Sequence, residues 1–164
     1  MTSDISQNYS RSYFGIKSLV NSIIKKKRVE INKIIEDEIN FEKSKNLLDV
    51  GTTSSLENHE NQIIKYFYNK IEISCLSNLS LEELKSIYNK ISVYEGDGRD
   101  MSFLDNKFDI VTSSATIEHV GNFENQIKFF SECLRVSKHK LFVTTPNRYF
   151  PIEMMPAFIA EYSI

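Results

Sequence analysis

The sequence predicts an open α/β fold, a mainly parallel sheet with helices on its faces, and two observations carry that expectation. First, three apolar segments follow one plan of short strand and then small or acidic loop: Asn46-Leu-Leu-Asp-Val-Gly51, Ile91-Ser-Val-Tyr-Glu-Gly-Asp97-Gly-Arg-Asp100 and Phe108-Asp-Ile-Val-Thr-Ser-Ser-Ala-Thr-Ile-Glu-His-Val120. Second, the stretches between strands place apolar residues at helical spacing, and alternation of strand with helix is the signature of a parallel sheet. The loops at the carboxyl ends of such strands share one edge, and ligands lie in the crevice there. Three loops of this kind imply one site.

Taken in order, residues 13–40 carry Ile16, Leu19, Val20, Ile23 and Ile24, then Ile31, Ile34, Ile35 and Ile39, a single apolar stripe that fits one long helix or two shorter ones. The run Lys25-Lys-Lys-Arg28 inside it covers every side of a helix and reads as a solvated face. Strands are expected at 46–50, 71–76, 91–95, 108–113 and 140–145. The helix after the first strand would use Leu56, Ile63, Ile64 and Phe67. The next would start at Ser80, whose hydroxyl and Glu83 suit a capping box ahead of Leu84 and Ile87. A helix over 122–136 would bury Phe123, Ile127, Phe130 and Leu134 on one face. Pro146 stops the fifth strand, because proline cannot donate to a ladder, and the tail 151–164 is apolar.

Size and composition narrow the functional classes. A chain of 164 residues with 41% hydrophobic content builds a domain with a real core. The formal charge of −2 exerts little pull on nucleic acid or anionic membrane, so neither is an expected partner. Cys75 and Cys133 lack the paired spacing of a zinc or redox motif and read as reduced thiols in a cytoplasm. No apolar run approaches the roughly 20 residues that span a bilayer, and three scattered histidines make no metal cluster. His59 is expected in a helix and His139 in a turn.

Asp49 and Gly51 open the chemistry, since a residue just past a strand lets a ligand reach the backbone only where no side chain blocks it. The chain then reads Gly51-Thr-Thr-Ser-Ser55, which matches neither the dinucleotide fingerprint nor the phosphate loop with its lysine. Leu48-Asp-Val-Gly51, Glu95-Gly-Asp-Gly-Arg-Asp100, Phe103, Phe108-Asp-Ile-Val111, Ile117-Glu-His-Val120 and Val143-Thr-Thr-Pro-Asn-Arg-Tyr-Phe-Pro-Ile-Glu153, in that order and spacing, resemble a class I S-adenosylmethionine-dependent methyltransferase of the small-molecule, type 11 kind. The resemblance spans roughly residues 45–153.

The resemblance implies a three-layer Rossmann-like fold with strand order 3-2-1-4-5, an amino-terminal helical segment (1–44) folded over the carboxyl edge, and a methyltransferase domain over 45–164 that lacks the usual last strands. It implies S-adenosylmethionine as cofactor, with Asp49 and the backbone of Gly51 and Thr52 at the methionine end. Ser77 and Asn78 fall at the ribose, and Ser113 and Ser114, at the end of the fourth strand, are further cofactor-binding residues. Asp97 would accept from the adenine amino group beside the Gly98 backbone, an apt use of an acceptor-only carboxylate. Met101 and Phe103 are placed for apolar contact with the ring, with a core position as the alternative for Phe103. His119, whose ordinary pKa is near neutral, suits a general base toward an acceptor hydroxyl or amine, the alternative being a bond to the backbone.

Three departures stand out. The glycine-rich loop keeps one glycine, and the second strand runs into Ser77-Asn78 where an acid would grip the ribose hydroxyls; a neutral amide forgoes the charge-assisted bond. Only about eighteen residues follow Pro146, so the fifth strand would lie near an open edge that the tail caps, a partner covers, or a truncated reading frame leaves bare. The expected function is methyl transfer to a small-molecule acceptor, with homo-oligomers formed through the edge near 140–164. The alternative is a degenerate methyltransferase-like interaction module that binds cofactor weakly or not at all. A nucleic-acid methyltransferase is disfavoured by the near-neutral charge and by Thr145-Pro-Asn-Arg148 lying after the fifth strand rather than the fourth.

Overall fold

The computed structural model describes residues 3–145, with side chains from residue 21 onward. In chain order the elements are α1 (Ser3–Glu38), β1 (Asn46–Val50), α2 (Gln62–Phe67), β2 (Glu72–Ser77), α3 (Glu82–Ile87), β3 (Ser92–Glu95), β4 (Phe108–Ser114), a 3-10 turn (Ile117–His119), α4 (Phe123–Val136) and β5 (Ser137–Thr144). The strands form one sheet in the order β3-β2-β1-β4-β5, each neighbouring pair parallel. This is the Rossmann-like arrangement expected, and its amino-terminal helix is continuous.

Successive side chains of a strand point to opposite faces, so the sheet divides the core in two. Leu47, Ile73, Cys75, Ile110 and Phe142 face one way, against Ile31, Ile35 and Ile39 of α1, Ile64 and Phe67 of α2, and Leu84 of α3. Leu48, Val50, Leu76, Val111 and Leu141 face the other, against Phe129, Cys133 and Val136 of α4. Both thiols are free and buried, and burial pushes each up to about 12.

Several local expectations are corrected. Asn61 takes a left-handed conformation, φ 51°, just before α2, and its amide donates to the carbonyls of Thr53 (3.0 Å) and Ser55 (2.8 Å). The chain therefore turns there, and Leu56 stays outside the helix, exposed. Ser80 caps nothing: Leu81 is drawn into the core, α3 begins after it without a side-chain cap, and Ile87 faces solvent. Residues 123, 127, 130 and 134 are not the buried stripe of α4. The neighbouring stripe, Phe129, Cys133 and Val136, faces the sheet because the Phe129 ring fits over Gly98, where a Cβ would lie 2.6 Å from it; Phe123 is 74% exposed. β5 starts at Ser137, which places His139 in a strand, and His59 sits in the turn ahead of α2 between Glu57 and Glu60. The expectations for Pro146 and the 151–164 tail fall outside the described residues.

One side chain fixes the loop between β3 and β4. Arg135 of α4 donates to the carbonyls of Phe103 (2.7 Å) and Met101 (2.8 Å), to Asp105 (2.8 Å) and to both oxygens of Glu132 (2.7 Å each), while Glu132 accepts the Met101 amide at 2.7 Å. A guanidinium offers five donors in a fixed fork, so a lysine cannot reproduce the set. Arg135→Ala is expected to lower the unfolding free energy by about 1–3 kcal/mol. Urea unfolding measures it, and a variant of unchanged stability would show that the loop holds itself.

Candidate functional site

The carboxyl edge of the sheet carries two cavities that meet over the 51–53 turn. One, of about 280 Å³, lies between α1 and the ends of β1 and β4, and is lined by Arg28, Asn32, Asp49, Gln62 and Thr144 among others. The other, of about 460 Å³, lies over the ends of β2 and β3 and is lined by Ser77, Asn78, Asp97, Gly98, Arg99 and Phe129. Gly51, Thr52, Thr53, Ala115 and His119 line both. Of the residues expected from sequence, Asp49, Gly51, Thr52, Ser77, Asn78, Asp97, Gly98, Ser114 and His119 are thus gathered on one edge. Ser113 is not, because its buried hydroxyl donates to the Val50 carbonyl at 3.0 Å. Met101 is in the core, and Phe103 packs edge-on between Tyr94 and Phe108 rather than lining either cavity.

Asp49 is buried at the end of β1, and each oxygen accepts a hydroxyl, Thr52 at 2.8 Å and Thr112 at 2.9 Å. Burial raises its pKa above the ordinary carboxylate value, opposed by those two hydroxyls and by the charge of Arg28. Gly51 then turns the chain with φ +87°, and a Cβ there would lie 2.2 Å from the Thr116 hydroxyl, so no other residue fits the turn. Its amide and that of Thr52 both donate to the Leu76 carbonyl, at 2.8 and 3.3 Å.

Across β4, Ala115 adopts φ 54°, an unusual conformation for a residue with a Cβ. It brings the 3-10 turn back over the edge, with the His119 amide donating to Thr116 at 2.9 Å. The His119 imidazole is exposed where the cavities join and makes no hydrogen bond among the described residues. At the far end, the Arg99 Nε donates to both oxygens of Asp97 (2.9 and 3.0 Å) and its Nη2 to one (2.6 Å), which holds that carboxyl below its usual pKa and keeps it charged. Ser77 is buried, its hydroxyl accepting from the Leu79 amide at 3.1 Å, and Asn78 is exposed. Among the described residues no group of His, Cys, Asp and Glu gathers as a metal site, and no helix is long and apolar enough to cross a membrane.

Sequence reasoning missed Arg28, Glu60 and Arg99. Arg28 sat in a basic run that read as solvated, yet its side chain is 17% exposed and paired with Glu60 at 3.1 Å. No local pattern marks it, because its partners lie about thirty residues further on.

A family model described as methyltransferase domain matches residues 48–142. No curated protein matches the chain. Among solved structures, an S-adenosylmethionine-dependent methyltransferase of Methanosarcina mazei aligns with TM-score 0.60 and 15% identity, over 71% of this chain and 58% of that one. A Pyrococcus horikoshii OT3 protein aligns with TM-score 0.58 and 19% identity, over 73% and 57%. An S-adenosylmethionine-dependent methyltransferase of Archaeoglobus fulgidus aligns with TM-score 0.54 and 18% identity, over 74% and 52%. At these identities the likeness is one of fold, and the chain spans about half the length of the solved structures it matches.

The raised pKa of Asp49 gives a signed pH dependence. An acid whose folded pKa exceeds its unfolded one binds more protons folded than unfolded between the two values, so its contribution to stability falls as pH rises through that window and is level above it. Asp49→Asn removes the titration while keeping an acceptor for one threonine and a donor for the other. With urea unfolding of both proteins at several pH values, stability of the parent relative to the variant is expected to decline as pH rises from the ordinary carboxylate range. A relative stability that is flat or climbs over that window would refute the assignment.

Proposed function

The chain belongs to the methyltransferase domain family, and from that membership we propose that it transfers a methyl group from S-adenosylmethionine to a small-molecule acceptor. The observation that carries this reading is the pair of cavities meeting over the Gly51 turn, one lined by Arg28 with Asp49 and Glu60 and the other by the Asp97–Arg99 pair and the Phe129 ring. Their donor sets fit the two halves of the cofactor. Asp97 and the Asn78 amide supply acceptors for a nucleoside, with Gly98 and Phe129 as its apolar floor, while Asp49 and Arg28 supply opposite charges for an amino-acid zwitterion.

When bound, S-adenosylmethionine supplies a methyl on a cationic sulfonium, already a good leaving group. The protein's task is then chiefly alignment, and holding an acceptor in line with the methyl can supply much of the rate. His119, at the junction of the cavities, is the group placed to take a proton from an acceptor hydroxyl or amine. Ser114 and Thr144 line the first cavity together with His119, which favours that part of it for the acceptor. Calorimetric titration with S-adenosylmethionine and S-adenosylhomocysteine tests the reading directly. Micromolar binding supports it, and silence at millimolar ligand would favour the interaction module instead.

Asp97→Ala is expected to weaken cofactor binding by about 1–3 kcal/mol, because it removes the acceptor for a buried amine. Unchanged affinity would place the adenine elsewhere. Asn78→Asp is expected to tighten binding by about 1 kcal/mol, the gain of a charge-assisted bond to the ribose over a neutral one; weaker binding would mean the ribose is held otherwise. Ser77→Asp is unsuited to the same test, since that side chain is buried and engaged by the Leu79 amide.

A further inference from the structure

We propose that the amino edge of the sheet, opposite the two cavities described above, carries a separate binding site for a small organic anion with a flat apolar body, an aryl carboxylate or aryl phosphate. The site is a cavity of about 410 Å³ at the amino ends of β1, β2 and β3, between the turn that follows α1 and the loops that follow α2 and α3. Its volume falls in the range of small-molecule sites. β2 joins the two edges: Glu72, its first residue, lines this cavity, and Ser77, its last, lines one at the carboxyl edge, so the two lie roughly 17 Å apart. The inference does not rest on the cofactor reading.

Three observations converge. The first is a set of cations that the topology assembles. Lys45, Lys70 and Lys90 each stand one or two residues before a strand, and a parallel sheet brings three such positions to one edge, where all three line the cavity. Lys70 is paired with Glu36 at 2.6 Å, but Lys45 and Lys90 meet no carboxylate among the described residues, Glu72 included. The Lys45 ammonium donates to the Phe41 carbonyl at 3.2 Å and that of Lys90 to the Asn69 Oδ1 at 3.1 Å. Helices α1, α2 and α3 all end at this edge, where cations are favoured, yet each of these two ammoniums spends one of three donors on the protein and keeps the rest for an anion.

The second observation is Ser44. It lines the cavity and is only 6% exposed, and its hydroxyl has no hydrogen-bond partner among the described residues. Buried polar groups are ordinarily paired, so a hydroxyl left unmet beside a cavity marks a place for a ligand's polar atom. The third is the apolar lining. Ile73 and Ile91 are buried, and Phe41, Ile71 and Tyr68 pack against the same core while partly exposed. The Tyr68 ring is held in place, its hydroxyl donating to the Asn89 Oδ1 at 2.8 Å and the Tyr88 ring meeting it edge-on at 5.1 Å, and the Lys90 ammonium lies 5.5 Å from its centroid. An inorganic anion would use the cations alone and a neutral arene the apolar lining alone; a charged group on a flat apolar body uses both.

Titration of the full chain with phenyl phosphate and with benzoate, followed in amide correlation NMR spectra, tests the assignment. The amides of residues 44–45, 68–70 and 90–91 are expected to shift, and at least one of the two probes is expected to bind more tightly than inorganic phosphate, which lacks the body, and benzyl alcohol, which lacks the charge. The tighter of the two probes tells a phosphate ligand from a carboxylate, and either supports the site. Lys45→Ala combined with Lys90→Ala is expected to lower the affinity by about tenfold, two exposed charge contacts toward the upper end of their usual worth. Both side chains are exposed, so the double variant keeps its fold. Ser44→Ala is expected to cost severalfold. The proposal is overturned if millimolar phenyl phosphate and benzoate leave those amides unmoved or shift only residues 51–53 at the carboxyl edge. Undiminished affinity in the double lysine variant, or benzyl alcohol binding as tightly as both anions, overturns it equally.

Discussion

The buried carboxylate of Asp49 is the constraint around which the rest of the edge is arranged. It closes the central strand, and it is tolerated there because both oxygens accept hydroxyls, one from the turn that follows and one from the neighbouring strand. Thr112 is the register partner of Asp49 across the β1–β4 ladder, so this polar contact and the strand pairing specify each other. Thr52 ties the same carboxylate to the turn that Gly51 makes. A one-residue slip of β1 would turn the carboxylate to the opposite face of the sheet, the side of the apolar cluster of Phe129, Cys133 and Val136, and away from Thr52 and Thr112.

Two glycines complete that edge by absence of a side chain, and in each case a neighbouring side chain occupies the space. At Gly51 the space is filled by Thr116, at Gly98 by the Phe129 ring and Val50. Each lets a neighbouring element close over the strand ends: the 3-10 turn that carries His119 in the first case, and α4 in the second. Close packing of this kind requires a glycine at both positions, and both residues also line the cavities at this edge.

Much of the fold was legible because its signals are periodic. Strand alternation marked β1 to β4 to within a residue at each end, while β5 begins three residues before its expected start, and parallel crossovers follow from helices set between strands. What was not legible depended on contacts distant in sequence. The two apolar stripes of α4 have the same helical spacing, and only the fit of Phe129 on Gly98, thirty-one positions earlier, chooses between them. Ser80 had the residues of a cap, and burial of Leu81 overrode it. At the site, motif positions such as Asp49, Gly51 and Asp97 were readable, while Arg99 and Arg28 were not. Their roles come from where a flexible cation ends up, beside Asp97 in one case and Glu60 in the other, and spacing does not encode that.

The fork of Arg135 has a consequence for how this chain tolerates change. The arginine grips the loop between β3 and β4 mainly through main-chain carbonyls, those of Met101 and Phe103, and every residue has a carbonyl. The path of the loop is therefore written largely in the helix, with Asp105 the one exposed loop side chain that Arg135 engages, so Ser102 and the 80% exposed Leu104 are free to drift while the wall of the second cavity stays where it is. Variation in that loop is a record of surface history, whereas variation at positions 132 and 135 would rewrite the geometry of the edge.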